Sequence, residues 1–517
     1  MIKSTNTVDG LSLVKGIPLN EEDGIGALTL GAYLKEVTAL YGSREVAVMR
    51  EGDDVERWTY DELWSRSVAV ARALLACGIG KGTRVGILMT NRLEFLSATF
   101  GTALAGGVAT TMSTFSTAAE LEVLLENSAC SVLLLERSVL KKDFAEAITD
   151  LEPEVASAAP GKLHSQKFPF LRHLAAVDET TTNGAIEAWD SFIKRGESIA
   201  PAMVDAAAAS VVPADPGVLF FSSGSTGKPK GILSAHRGVC LQMWRWAKWY
   251  DFQDNVRSWS ANGFFWSGNF AMAIGGTLSA GGSLVLQRTF QPEEALSLME
   301  AESASFLCAW PHQWAQLTGA SNWLQVDLSA MRYMDSKSPI AQHPTINTEW
   351  REPAHAYGNT ETFTLSTVFP ANTPDEICAN THGIPAAGNS FKIVEPLTGQ
   401  TVSLGERGEI AVKGPTLMLG YLGIPLNETL DDEGFFHTGD GGFFDEQGRL
   451  HWEGRLNDII KTGGANVSPI EIDAVIGKCP GVKITQTVGV PHELLGELVV
   501  SCIVPQNNAT LSAEDVR

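Results

Sequence analysis

The sequence predicts an α/β protein with a parallel sheet covered on both faces, followed by a small tail of different pattern. Three observations carry this. Amphipathic helical stretches alternate with short apolar strands through the first 135 residues. Glycine is abundant, at 50 residues, which suits many tight βα turns. After Asp458 the pattern changes to a hairpin, a helix and two further strands.

The elements follow in order. Residues 62–77 read as a helix with Leu63, Val68, Val70, Leu74 and Leu75 among its apolar positions. Gly78 and Gly80 stop it. Residues 84–89 form a strand, 93–105 the next helix, and 108–112 and 131–135 further strands. Residues 95–119 carry no charge over 25 positions, long enough to span a bilayer. Nine of them are Ser or Thr and three are Gly, so the stretch reads as a buried helix running into a buried strand, with no integral membrane segment. Residues 200–215, rich in Ala and Pro and weakly periodic, read as a surface approach to the next strand. In the tail, 459–461 and 465–467 flank Thr462-Gly463-Gly464 as a hairpin, and Ser468-Pro469 opens a helix. Strands at 484–490 and 498–504 follow.

Composition narrows the function. A chain of 517 residues suggests about three structural units. A hydrophobic fraction of 44% excludes global disorder. A net charge of −22 argues against nucleic acid as the partner. The seven cysteines are odd in number, widely spaced and free of any C-x-x-C pair. That argues against a disulfide framework or zinc site and for a reducing compartment, the cytoplasm. The N-terminal residues lack the apolar core of a secretory signal.

The strongest chemical signal lies at residues 218–231, where an apolar strand runs into a loop of Gly, Ser and Thr with two lysines. Gly224, Gly227 and Gly231 permit backbone conformations that aim N–H groups inward as an anion nest. Ser222, Ser223, Ser225 and Thr226 add hydroxyl donors, and Lys228 and Lys230 add charge. Such a loop suits a triphosphate. It is not the Walker A pattern, because Ser222 stands where that pattern needs Gly and Pro229 follows Lys228.

Residues 222–231 match every fixed position of S/T-S/T-G-S/T-T-G-x-P-K-G, and the loop resembles the phosphate-binding signature of the adenylate-forming superfamily. Further segments agree in that family's order: Trp58 to Leu63, Tyr357-Gly-Asn-Thr-Glu361, Gly405 to Glu409, Gly420-Tyr421, Phe436-His-Thr-Gly-Asp440, Gly454 to Lys461, and Gly463 to Glu471. The resemblance covers about residue 28 to the end and is similar to an acyl-CoA synthetase. It implies a large multi-sheet N-terminal domain over residues 1–454, with the AMP site and acyl pocket, and a hinge plus partial α+β C-terminal domain over 455–517.

The resemblance also implies the roles. Tyr357 offers an aromatic face for adenine, and Ser338 belongs to a segment that approaches adenine. That segment, Asp335 to Ile340, departs from the family's Gly/Ala-rich pattern through Ser336 and Lys337. Thr360 lies near the α-phosphate and the acyl carbonyl, beside Thr226 and Lys230 of the loop. Glu361 is the expected Mg²⁺ ligand, a hard oxygen for a hard ion. Asp440 accepts the ribose hydroxyls, Arg455 donates to the ribose, and Asp458 is the hinge. Lys461, Gly463 and Gly464 face the thioester-forming site. The cofactors and co-substrates implied are ATP, Mg²⁺ and coenzyme A, with a small carboxylic acid as partner and a monomer or homodimer as the assembly.

Two features set this chain apart within the family. It ends at Arg517 without a P-x-x-x-x-G-K segment, which implies either a shortened chain or an impaired adenylation step. In the aromatic motif Gly263 to Gly268, Trp266 stands where many relatives have His. No acid is near in sequence, which disfavours an amino acid as substrate. Gly358 is expected to leave the pocket floor open, with Phe264, Phe265 and Trp266 as walls and His236, Trp310 and His312 as further lining. Medium-chain, long-chain or bulky acids are the expected substrates, as in fatty acid metabolism. A ligase loading a carrier protein, or a nucleotide-binding relative with impaired catalysis, stays open on the sequence.

Overall fold

The structure is a computed structural model and describes residues 6–7, 10–52, 54–223, 229–353, 356–456, 460–462, 465–467, 469–492, 495–506, 509, 511–512 and 516. Two largely parallel sheets dominate. The larger has eight strands in the order Ile186–Ala188, His173–Ala176, Val132–Leu135, Arg84–Leu88, Val108–Thr111, Pro216–Ser223, Pro229–Ala235, Gly420–Tyr421. Its first six strands run parallel and the last two pairings are antiparallel. The second sheet orders Phe306–Cys308, Arg257–Ser260, Ser283–Leu286, Glu45–Glu51, Asp54–Thr59.

Side-chain alternation shows why helices cover both faces. Val132 and Leu134 belong to the central core, whereas Leu133 and Leu135 belong to the outer one. In the second sheet Leu284 and Leu286 face the centre, and Val285 faces an outer core. The central core is shared by both sheets and filled by helices Tyr60–Ala76, Leu93–Leu104 and His236–Trp249. A parallel strand buried on both faces needs apolar residues at every position, hence continuous runs such as 132–135.

The helix Tyr60–Ala76 starts at a capping box: Glu62 N donates to Thr59 Oγ1 at 3.2 Å and Thr59 N donates to Glu62 Oε2 at 2.7 Å. It ends just before Gly78, whose φ of +79° is the left-handed conformation that terminates helices. In Leu93–Leu104 every residue except Glu94 is buried. This is the buried helix the uncharged stretch predicted, and it leads into the buried strand Val108–Thr111. Among the described residues no helix is long and apolar enough to cross a membrane.

The surface approach to strand Pro216–Ser223 carries a helix that the sequence reading did not name. Pro201–Ala209 is a helix, with Pro201 at its start and only Val204 buried. Its weak periodicity hid it, but alanine has the highest helix propensity and Pro costs nothing in the first turn.

An antiparallel six-stranded sheet carries Phe436–Phe444 and Leu450–Arg455, and a three-stranded one carries Tyr357–Asn359 and Thr364–Val368. The tail forms a four-stranded sheet drawn only from Ile460–Thr462, Ala465–Val467, Val482–His492 and Gly496–Pro505, with helix Pro469–Ile476 against it.

Candidate active site

The site gathers at the ends of three sheets. Strands Pro216–Ser223 and Pro229–Ala235 pair antiparallel, so Ser222 stands opposite Lys230. Gly224, Ser225, Thr226, Gly227 and Lys228 lie outside the described residues, as does the side chain of Ser223. The same outer strand pairs with Gly420–Tyr421, with Ile232 opposite Tyr421. That register brings Lys230 Nζ to 5.2 Å from the Tyr421 ring centroid. Tyr421 Oη in turn donates to Glu361 Oε1 at 2.7 Å. Burial first, and the Glu361 carboxylate second, hold the Tyr421 hydroxyl in its protonated, donating form. Sequence reasoning placed Gly420-Tyr421 in a family motif but gave Tyr421 no role. The signal available was its position two residues along the strand that neighbours Lys230.

Glu361 sits in the single turn Thr360–Thr362, capped by Asn359, whose Oδ1 accepts from Thr362 N at 2.9 Å. The chain then reverses through Phe363 and Thr364, both left-handed at φ +48° and +79°. Such values are strained for a β-branched residue. The fully buried Gln242 clamps this reversal, donating from Nε2 to Phe363 O at 2.9 Å and Leu365 O at 2.7 Å. Gln242 carried no motif and was not legible in the sequence.

Asp440 and Arg455 face each other across the ladder between their strands. Tyr357 Oη donates to Asp440 Oδ2 at 2.7 Å, and Arg455 Nη1 donates to Thr438 O at 2.9 Å. Arg455 Nε lies 3.1 Å from Asp440 Oδ1, an ion-pair distance. Its N–H does not point at that oxygen, which remains buried without a donor. Burial pushes the Asp440 pKa up, while Tyr357 and Arg455 oppose the shift. A buried acceptor with a free lone pair beside a guanidinium fits a sugar hydroxyl. The Tyr357 ring itself is 5% exposed and packs in the core with Ile232 and Phe436. It therefore offers less open face to a base than the sequence reading expected, because its hydroxyl is anchored to Asp440.

Thr360 opens onto a cavity of about 630 Å³. Eight of the lining residues are aromatic, among them Trp246, Tyr250, Trp266, Trp310 and Trp350. Ser338 also lines it, and its Oγ accepts from Ile340 N at 3.1 Å. Trp266 and Trp310 are also among the residues lining the cavity, 44% and 61% exposed.

His236, Phe265 and His312 lie outside this cavity, and Gly358 lines it in a different role from the one expected. His236 starts helix His236–Trp249, is buried, and accepts from Leu30 N at 3.2 Å, outside the cavity. A polar hook between two buried helices keeps it there. Phe265 turns to the other side of its loop, against Phe115 at 5.6 Å, in a neighbouring cavity that His312 also lines. Gly358 lines the cavity through its backbone, but a Cβ there would fall 1.8 Å from Thr364 O. Its missing side chain makes room for the neighbouring strand, not for an acyl group. An acid also faces the cavity after all: Glu352, distant in sequence from the aromatic motif.

The side chain of Lys461 and residues Asp458, Gly463 and Gly464 lie outside the described residues. Among the described residues no group of three or more His, Cys, Asp or Glu is arranged to hold a metal. Glu361 is thus a single carboxylate. That fits Mg²⁺, which takes one or two carboxylates and draws its other ligands from water and phosphate.

Comparison with known proteins agrees with this geometry. Residues 34–422 match the model of the AMP-binding enzyme family. The acyl-CoA ligase SID4 of Ajellomyces capsulatus is 28% identical over 94% of this chain and 83% of its own length. The mitochondrial medium-chain acyl-CoA ligase ACSF2 of Danio rerio is 26% identical over 95% of this chain and 82% of its own length. Among solved structures, ATP-bound MatB of Rhodopseudomonas palustris superposes with a TM-score of 0.75 at 24% identity, covering 95% of this chain and 91% of that one. The fold is that of the adenylate-forming enzymes, and the chain belongs to the AMP-binding enzyme family.

Proposed function

We propose that the chain is an AMP-forming acyl-CoA ligase: a carboxylate attacks the α-phosphorus of ATP, pyrophosphate leaves, and the acyl-AMP passes its acyl group to the thiol of coenzyme A. The observation that carries this is the connected row Lys230, Tyr421 and Glu361, together with Thr360, the residue next to Glu361, in the lining of the aromatic cavity. Phosphate chemistry and an acyl-sized hole thus share one edge. The relatives reported above are named acyl-CoA ligases, which favours this reading over loading of a carrier protein.

The residues divide the work. Lys230 brings positive charge to the departing phosphates, and Thr360 donates a hydroxyl at the reacting carbonyl. Asp440 and Arg455 hold the ribose and so fix the α-phosphorus relative to the cavity. Glu361 would hold Mg²⁺, which neutralises charge on the phosphate oxygens. The cavity wall excludes water and positions the acyl chain, so catalysis rests on placement and charge.

The cavity's size and aromatic lining support medium-chain or bulky acids over acetate, since each buried methylene contributes about 0.8 kcal/mol. We read residues 1–454 as the AMP-binding body and 455–517 as a smaller mobile unit hinged at Asp458. Its seam against Glu453 to Arg455 encloses about 400 Å³, a loosely filled contact that favours movement. Seven free cysteines support a cytoplasmic setting. The test is acid-dependent pyrophosphate release followed by thioester formation with free coenzyme A, on wild type and Glu361→Gln. Unchanged turnover in the variant at saturating Mg²⁺ would overturn the metal assignment.

A further inference from the structure

The large cavity is not uniformly apolar. Glu352 opens into it, and Tyr250 Oη donates to Glu352 Oε1 at 2.7 Å. Tyr250 stands at the centre of an aromatic wall, with ring centroids at 5.0 Å to Trp246, 5.4 Å to Trp350 and 5.5 Å to Phe306. The backbone beside the acid is fixed: Glu352 N donates to Asp335 Oδ2 at 3.0 Å, and Asp335 Oδ1 accepts from Lys337 N at 2.8 Å. Asp335 is therefore spent on backbone donors, whereas Glu352 gives one oxygen to Tyr250 and lines both this cavity and a neighbouring one that Lys337 and Arg351 also line. Among the described residues that line the large cavity itself there is no lysine, arginine or histidine.

Glu352 is exposed as a residue, yet protein surrounds its carboxylate closely enough that burial raises its pKa, against the Tyr250 hydrogen bond and with a further rise from Asp335. Tyr250 supplies a donor to one oxygen of this carboxylate. A purely hydrocarbon acyl chain lying against it would displace water from the other oxygen and return no hydrogen bond, which costs free energy.

Resting on the acyl-ligase reading above, we propose that the preferred acid carries a hydrogen-bond donor, a hydroxyl or an ammonium, on the distal part of an apolar body, and that Glu352, positioned by Tyr250, accepts from it. The aromatic wall serves either source. It packs the apolar body, and its ring faces favour a cation if the donor is charged. A second carboxylate at that end would meet Glu352 with no cation between them and is rejected.

The experiment is ATP–pyrophosphate exchange with four acids of one chain length: octanoate, ω-hydroxyoctanoate, ω-aminooctanoate and octanedioate. Wild type, Glu352→Gln and Tyr250→Phe are compared. In wild type, kcat/KM for the hydroxy or the amino acid should exceed that for octanoate by about tenfold or more, with octanedioate lowest. Which of the two leads identifies the donor. Glu352→Gln should collapse that ratio, and Tyr250→Phe, which keeps the acid but loses its orienting hydroxyl, should lower it partly. The inference is overturned if octanoate or octanedioate leads in wild type, or if the ratio survives in both variants. Octanoate turned over without any preference defeats this inference alone. No exchange with any of the four acids defeats the ligase reading, and this inference with it.

Discussion

Tyr421 Oη donates to Glu361 Oε1 at 2.7 Å, while Lys230 Nζ lies over the same tyrosine ring at 5.2 Å from its centroid. One aromatic side chain therefore spaces a cation from a carboxylate that would otherwise pair. On the proposed ligase reading, direct pairing would consume the charge that Lys230 offers a phosphate and Glu361 offers a metal.

The first prediction follows from that spacing. Tyr421→Phe keeps the ring but frees Glu361, so the fold should persist while apparent Mg²⁺ affinity falls about 10- to 100-fold, as for lost outer partners of metal ligands. Titrating Mg²⁺ in the pyrophosphate-release assay measures it. An unchanged Mg²⁺ dependence would mean that Tyr421 does not position Glu361.

Gly358→Ala tests why that glycine is there. Its Cβ would meet Thr364 O at 1.8 Å, so the strand pair Tyr357–Asn359 and Thr364–Val368 must separate. Overpacking of this kind costs about 1–3 kcal/mol or more. The variant should melt lower and lose kcat on acids of every length. A variant of normal stability that shifts preference toward short acids would restore the open-floor reading.

These cases mark how far the sequence could be read. The parallel sheets, the buried helix Leu93–Leu104 and the tail were legible because period and glycine punctuation are local signals. Thr360, Glu361, Asp440 and Arg455 stand out in the sequence because motif spacing marks them, and the structure puts the first two in one turn and the last two opposite each other on paired strands. Gln242, Tyr421 and Glu352 were not. Each acts through a partner 60 or more residues away: Phe363, Glu361 and Tyr250. His236 and Phe265 were misassigned because a residue's direction off its strand or helix start depends on packing that a single sequence does not encode.

His236 predicts a pH dependence of stability. Its ring is buried, Nδ1 accepts from Leu30 N, and Nε2 has no partner. Burial pulls its pKa down to about 4, from an ordinary value of 6.5. The unfolded chain binds the proton first as pH falls, so this group's stability is complete above 6.5 and lost progressively toward 4. The gap corresponds to a loss on the order of 3 kcal/mol. Melting temperature should therefore fall between pH 7 and 4.5 in wild type, and less steeply in His236→Gln. Parallel profiles would show that His236 is not the group responsible.

Asp440 and Tyr357 give the last prediction. Asp440 Oδ1 is a buried acceptor without a donor, and Oδ2 depends on the Tyr357 hydroxyl at 2.7 Å. If Oδ1 accepts from the ribose, Asp440→Asn should raise KM for ATP about tenfold or more, the worth of a charged hydrogen bond, and change kcat less. Tyr357→Phe acts indirectly. Burial already raises the Asp440 pKa, and the Tyr357 donor is the first of the contacts that hold it down. Removing that donor lets the pKa rise further, because a hydrogen bond to the charged form favours that form. A protonated Asp440 is a poorer acceptor, so kcat/KM for ATP should fall on the acid side in both proteins. The fall should begin at a higher pH in Tyr357→Phe. The measurement is the pH profile of kcat/KM for ATP in wild type, Tyr357→Phe and Asp440→Asn. Asp440→Asn should lose the acid limb that Asp440 causes. If Tyr357→Phe leaves that limb in place, the Tyr357–Asp440 bond does not tune nucleotide binding, and Tyr357 serves packing alone.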